Sequence, residues 1–396
     1  MNTTEVANPK RSVAALSFIA LMVYAIILRP PVAAIGPLLP EISKDLSLNL
    51  GAQGLLTAIP VLCFGLGAFA GPAMNRRFGL DRSLLILSVV IFIAVLGRGW
   101  LGFGAMLIGT AVAGLAIAVA NVLLPSVVRL RFPNKVAPIT AAYTTILAIA
   151  ASSASALAVP MSAWLGGWNM SLVAWSVPGL IAVVLWASQS RAQTTHVRVE
   201  ASTQPSKAVW KSSVTWSLVS FFGFQSLGFY AILAWLPSIL IERGLSPEEA
   251  GGLLGLTAIV GVPIGILLGA NFAKFKRLDI LGFLISLFTA TGFALLLVPG
   301  AHLAAALMMG LGMASTFPLS LNWISTRANN ASQTTQLSAI SQGFGYLLSA
   351  IGTFAFGYLR EVSGSWSLPV LMMLALTIVQ ALSCFVAGGK KQIPLD

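Results

Sequence analysis

Apolar residues run along this chain in long stretches, broken by short polar or Gly/Pro-rich segments, at about 12–40, 50–73, 83–98, 103–128, 137–162, 169–188, 213–240, 250–272, 280–299, 302–325, 335–359 and 368–387. Most reach the roughly 20 residues that a helix needs to cross a bilayer. In lipid every backbone polar group must be satisfied within the structure, so the choice lies between helices and closed barrels. Continuous apolar runs lack the alternation of barrel strands. The pattern therefore predicts an all-α membrane protein with twelve transmembrane helices, here called spans 1 to 12. Span 1 follows Lys10-Arg11 like the apolar run of a signal peptide, but it continues to Pro40 and is expected to be retained.

Composition agrees: 57% of the 396 residues are hydrophobic and only 9% charged, too few to solvate a globular surface of that size. The net charge of +12 could suggest nucleic acid, but the basic residues fall in small clusters between spans rather than on one amphipathic face. With the N-terminus cytoplasmic, 18 of the 23 Lys and Arg lie on the inner side, four lie outside, and Arg29 is left within the membrane. That asymmetry predicts both termini inside, in a multi-pass protein of the bacterial inner membrane. Cys63 and Cys384 sit in apolar runs without CxxC spacing, so they point to packing, with no metal or cofactor site.

The longest polar stretch, residues 189–211, reads as a flexible cytoplasmic linker between bundles at 1–188 and 212–396. A shift of 198 residues pairs Gly54-Leu55-Leu56 with Gly252-Leu253-Leu254, Gly67 with Gly265, Gly71 with Gly269, Arg76 with Lys274, and Leu80-Asp81 with Leu278-Asp279. Two pseudo-symmetric six-helix bundles are the organisation expected of carriers whose halves rock about a central site.

The turn after span 2, GPAMNRRFGLDRS (Gly71 to Ser83), resembles the loop 2-3 motif of the major facilitator superfamily, G-x-x-x-D-R-x-G-R-R. Asn75 stands at the Asp position and Gly79 comes one residue late. The resemblance implies a cytoplasmic gate latch built from Gly71, Asn75, Arg76, Arg77, Gly79 and Asp81. A closer resemblance lies in LRPPVAAIGPLLPEI (28–42), LLTAIPV (55–61), LLPSVVRLRFP (123–133), AWLPSIL (234–240) and SQGFGY (341–346), which together look like the cyanate and nitroimidazole transporter family. That family implies small, often anionic or nitro-bearing solutes and a functional monomer.

Arg29 carries the sharpest physical expectation. It lies roughly 24 Å along span 1 from Val13, somewhat past the middle. A cation at that depth costs about 2.5 to 3.5 kcal/mol on insertion scales, so it should face the bundle interior or a wet cavity. All eleven acids lie outside the apolar cores or at their ends, which leaves the guanidinium without an intramembrane counter-ion. Its permanent, forked charge suits carboxylate, cyanate or nitro oxygen. Asn121, Tyr143, Gln225, Tyr230, Trp235 and Gln342 are embedded in other spans and could complete a substrate site between the halves. Arg98, at the outer end of span 3, is expected to snorkel to the interface. His302 opens span 10 without an acidic partner.

No Asp, Glu or His stands at membrane depth to load a proton, which predicts uniport or exchange. A membrane enzyme would need a nucleophile with a base, or a cluster of His or carboxylates, and the spans offer none. Within transporters, the rival reading is export of neutral or anionic hydrophobic compounds.

Overall fold

The computed structural model describes residues 11–100, 102–192 and 207–394. Span 1 comprises α1 (Arg11–Ile27), α2 (Pro30–Ala33) and α3 (Ile35–Asp45), spans 2 and 3 comprise α4 (Leu50–Ala68) and α5 (Ala70–Gly97), and α6 (Gly102–Arg131) and α7 (Val136–Leu165) are spans 4 and 5. Span 6 is α8 (Trp168–Ala174) with α9 (Ser176–Ala192), and α10 (Lys207–Lys211) precedes the second half. Spans 7 to 12 are α11 (Ser213–Glu242), α12 (Pro247–Asn271), α13 (Leu278–Leu295), α14 (His302–Arg327), α15 (Ala331–Ser363) and α16 (Ser367–Ala387). There is no strand among the described residues.

Eleven of these helices are long and apolar enough to cross a membrane, and the twelfth, Ala52–Ala68, is a shorter apolar one. It is short because the helix turns at Phe69 and resumes as the start of α5. That helix is in turn two pieces joined at Gly79, whose φ of 74° and ψ of 171° make the reversal between spans 2 and 3. Only glycine adopts that backbone region without strain, which gives Gly79 of the latch motif a purely local reason to be there. Several other helix starts are written in the sequence as side-chain caps: Asn49 accepts from Ala52 N–H, Asn330 from Gln333 N–H, and Ser246 forms a capping box with Glu249.

The expectation of a flexible linker meets a partial correction. Helix α9 runs to Ala192 and α10 begins at Lys207, so both margins of 189–211 are helical. Val209 of α10 is fully buried, and Trp210 packs edge-on to Phe344 of α15 at 6.1 Å. Residues 193–206, with His196, lie outside the described residues.

Between the halves, α15 packs on α4 and α6, while α7 packs on α12 and α14. One apolar core, including Tyr24, Trp186, Phe222, Trp323 and Leu337, joins both halves at the end of the molecule that carries the described chain ends. At the opposite end each half has its own core, around Ile35, Leu38 and Trp168 in the first and around Leu236, Phe293 and Trp366 in the second. Leu28 belongs to the shared core and Ala34 to the separate one, so Arg29 lies where the halves begin to part.

Gly79→Ala forces a left-handed backbone onto a side-chain-bearing residue and is expected to cost about 1 to 3 kcal/mol. Thermal unfolding in detergent should show a lowered Tm. Gly54→Ala, with open space where a Cβ would go and no positive φ, should leave Tm unchanged or slightly raised.

Candidate functional site

Pro30 and Pro31 have no N–H to offer the carbonyls of Ile26 and Ile27, so span 1 cannot continue as one helix through them. It breaks at Leu28-Arg29, and Arg29 becomes the residue that opens α2, its carbonyl accepting from Val32 N–H at 3.1 Å and Ala33 N–H at 2.9 Å. The break turns the guanidinium into the interior. It lies beside the hydroxyls of Tyr346 on α15 and Tyr230 on α11, close enough to interact electrostatically with both, and its central carbon lies 5.4 Å from the Phe317 ring centroid on α14. Tyr143 of α7 is close enough to interact electrostatically with both Arg29 and Tyr346, and its buried hydroxyl has no hydrogen-bond partner. Arg29, Tyr230 and Phe317 are each only partly buried.

This arrangement is aromatic as well as cationic. Tyr346 stands between Phe64 of α4, at 5.4 Å, and Phe222 of α11, at 5.1 Å, and Phe222 reaches Phe317 at 6.0 Å. A cation on aromatic faces and tyrosine hydroxyls is only partly compensated. Six carboxylates are engaged elsewhere: Glu41 with Ser162, Asp45 with Trp168, Asp81 with Arg131, Glu242 with Arg360 and Trp366, Glu249 with Ser246, and Asp279 with Arg277. Among the described residues Arg29 forms no ion pair.

The structure brings Arg29, Tyr143 and Tyr230 together, with Asn121, Gln225 and Gln342 nearby and Trp235 apart. Gln342 donates to the Asn121 carbonyl at 3.1 Å and to Ser338 at 2.7 Å, a link between the halves one helical turn from Tyr346, with Gln342 Oε1 and Asn121 Nδ2 left unpartnered. Gln225 bonds Ser226 at 2.7 Å and accepts from Thr316 at 3.4 Å, next to Phe317. Trp235 is not part of this group: its indole N–H donates to the Thr353 carbonyl at 3.3 Å and its ring meets Trp366 at 5.7 Å, in the far core of the second half. Tyr346 and Phe317 escaped sequence reading. Tyr346 was signalled by its place four residues after Gln342, on the same helix face, whereas nothing in the sequence distinguishes Phe317.

The latch residues divide between two tasks. Asn75 reaches across the halves to the Thr335 hydroxyl at 3.4 Å, and Ser126 meets the same hydroxyl at 2.7 Å. Arg129 donates to the Ser325 carbonyl, Gly71 fits against Val122, and Phe69 and Phe344 close edge-to-face at 5.1 Å. Asp81 instead works within the first half, paired with Arg131, which also bonds Ser17 at 3.1 Å and Gln189 at 3.2 Å and lies over Trp186. Arg76 lines a cleft of about 210 Å³ with Phe69, Trp210 and Gln336, and Arg77 rests on the Phe78 ring.

The expectation for Arg98 is overturned. It is 1% exposed and donates to the Pro31 carbonyl rather than reaching the membrane surface. The break in span 1 exposes a carbonyl close by, and that acceptor captures the guanidinium. His302 is the first residue of α14.

Known proteins resemble the chain over nearly its whole length. It is 34% identical to the 2-nitroimidazole transporter of Escherichia coli (strain K12) over 379 residues, covering 94% of this chain and 95% of that protein. It is also 34% identical to the uncharacterised transporter YycB of Bacillus subtilis (strain 168), covering 92% of each. Identity to the cyanate transport protein CynX of Escherichia coli is 27%, over 91% of this chain and 95% of that one. Among solved structures, the transporter FucP in the outward conformation superposes with a TM-score of 0.74 at 13% identity, over 95% of this chain and 99% of that one, a likeness of fold. The profile of the Major Facilitator Superfamily matches residues 13–353, and the chain belongs to that superfamily of membrane transporters.

Proposed function

We propose that this transporter moves a small anionic or nitro-bearing solute by alternating access, with Arg29 as the charge that binds it. The observation that carries the reading is the intramembrane guanidinium with tyrosine hydroxyls for company and, among the described residues, no carboxylate paired with it. Two relatives are named for 2-nitroimidazole and for cyanate, solutes that offer compact acceptor atoms to a forked donor.

In this reading the halves at 1–188 and 212–396 rock about the site as a monomer, with both termini cytoplasmic in the bacterial inner membrane. Arg29 comes from the first half and Tyr230, Phe317 and Tyr346 from the second, so a solute held among them engages both. Bound solute neutralises Arg29 and lowers the barrier to rocking. The contacts of Asn75, Ser126 and Arg129 with α14 and α15 hold the cytoplasmic gate shut and must be undone for the site to open inward. Asn75 does this without the formal charge of an Asp. Arginine stays charged at every working pH, so the cycle is uniport or exchange.

A second reading, export of neutral or anionic hydrophobic compounds, draws on the aromatic wall of Phe64, Phe222 and Phe317. Arg29 separates the two, since an apolar compound would be carried equally well without it.

In proteoliposomes, Arg29→Gln should abolish uptake of cyanate and of 2-nitroimidazole. Tyr230→Phe and Tyr346→Phe, each removing a hydroxyl beside the charge, should raise KM by roughly tenfold, the scale of one hydrogen bond to a charged group. Unchanged transport in Arg29→Gln would remove Arg29 from the site. Uptake should also proceed without a pH gradient and leave a pH dye trapped in the lumen unchanged. Stoichiometric acidification of the lumen would contradict uniport or exchange.

A further inference from the structure

Arg98 is a permanent charge buried at the far end of span 3, in no ion pair among the described residues, with Nε and Nη2 unpartnered. Its hydrogen bond goes to the carbonyl of Pro31, two residues beyond Arg29. Pro31 lies in the turn that Arg29 opens, where the Arg29 carbonyl is bonded to Val32 and Ala33 N–H. Apart from its packing on α7 and α6 and one bond from Ala34 N–H to the Pro30 carbonyl, the turn has few hydrogen bonds of its own: α2 lasts four residues, both prolines lack donors, and Arg29 supplies no side-chain cap. The neighbouring helix makes room for the arrangement. A Cβ on Gly109 of α6 would stand 2.8 Å from the Arg98 Cβ and 2.9 Å from the Ala94 carbonyl oxygen.

The flanking pieces of span 1 are tied down separately. Tyr24 of α1 donates to the Leu84 carbonyl at 3.1 Å, and Glu41 of α3 accepts from Ser162 at 2.8 Å. Between these anchors, Arg98 is the side chain that grips the backbone of the break.

We infer that Arg98 is a positioning residue: by fixing the Pro31 carbonyl it sets the orientation in which the helix break presents Arg29 to substrate. The inference rests on the reading of Arg29 as the substrate-binding charge. It assigns Arg98 no contact with the solute, and it makes the Gly109 gap a requirement of the site.

The test combines a substrate-free readout with transport by the full chain in proteoliposomes. Arg98→Met should speed amide hydrogen exchange in residues 28–36 by roughly tenfold and raise KM for cyanate or 2-nitroimidazole by a similar factor, with Vmax within about twofold of wild type. Arg98→Lys, which keeps a donor for the carbonyl, should restore both to within about threefold. Unchanged exchange in Arg98→Met overturns the positioning role, even where Arg29→Gln abolishes uptake. Faster exchange with KM unaltered in both Arg98→Met and Arg29→Gln overturns the reading of Arg29 instead. Should Arg98→Met not survive purification, Gly109→Ala, which crowds the Arg98 Cβ, makes the same comparison with the same outcomes.

Discussion

A guanidinium inside a bilayer has to be answered by something, and among the described residues of this transporter no carboxylate pairs with it. Burying a charge without an opposite charge is tolerated only where hydrogen bonds and water share the load. Around Arg29 stand the tyrosine hydroxyls of α11 and α15 and the face of Phe317, and the arginine is only partly buried. A carboxylate from the second half would have paired with the charge and tied the halves together. Neutral hydroxyls leave the charge available.

The same interaction organises span 1. A continuous helix would carry Arg29 along a regular face, whereas the span breaks just before the two prolines, with the arginine at that junction. The junction coincides with the border between the core shared by the halves and the cores each keeps to itself. Charge, helix break and the parting of the halves therefore meet at one residue. Contacts between the halves lie on one side of it, through Asn75, Ser126 and Arg129, and at the opposite end pairs such as Glu41 with Ser162 and Glu242 with Arg360 fall within one half.

Much of this was legible in the sequence, for physical reasons. Apolar runs in lipid admit few structures, and each predicted span has a helical counterpart with ends shifted by a few residues. Arg29 was legible because a lone charge among apolar residues is costly, and the absence of internal acids could be counted. Tyr346 and Phe317 were not, because aromatic residues are common in spans and only the packing of α14 and α15 against α11 shows which of them face the charge. Arg98 misled for a related reason: position along a helix suggests snorkelling, but the direction of its side chain is set by an acceptor that exists only because another helix breaks. Asn75 marks a middle case, placed by its motif yet bonded to Thr335 in a way that no single half could reveal.

The central claim is that cargo takes the place of the missing counter-ion, and locating the cargo tests it most directly. Selenocyanate, once shown to compete with cyanate for uptake, can be bound to the crystallised transporter and found by the anomalous scattering of selenium. The account predicts the anion within hydrogen-bonding distance of the Arg29 guanidinium, among Tyr143, Tyr230 and Tyr346. A fully occupied selenium position elsewhere, with Arg29 still resting on its tyrosines, would contradict it.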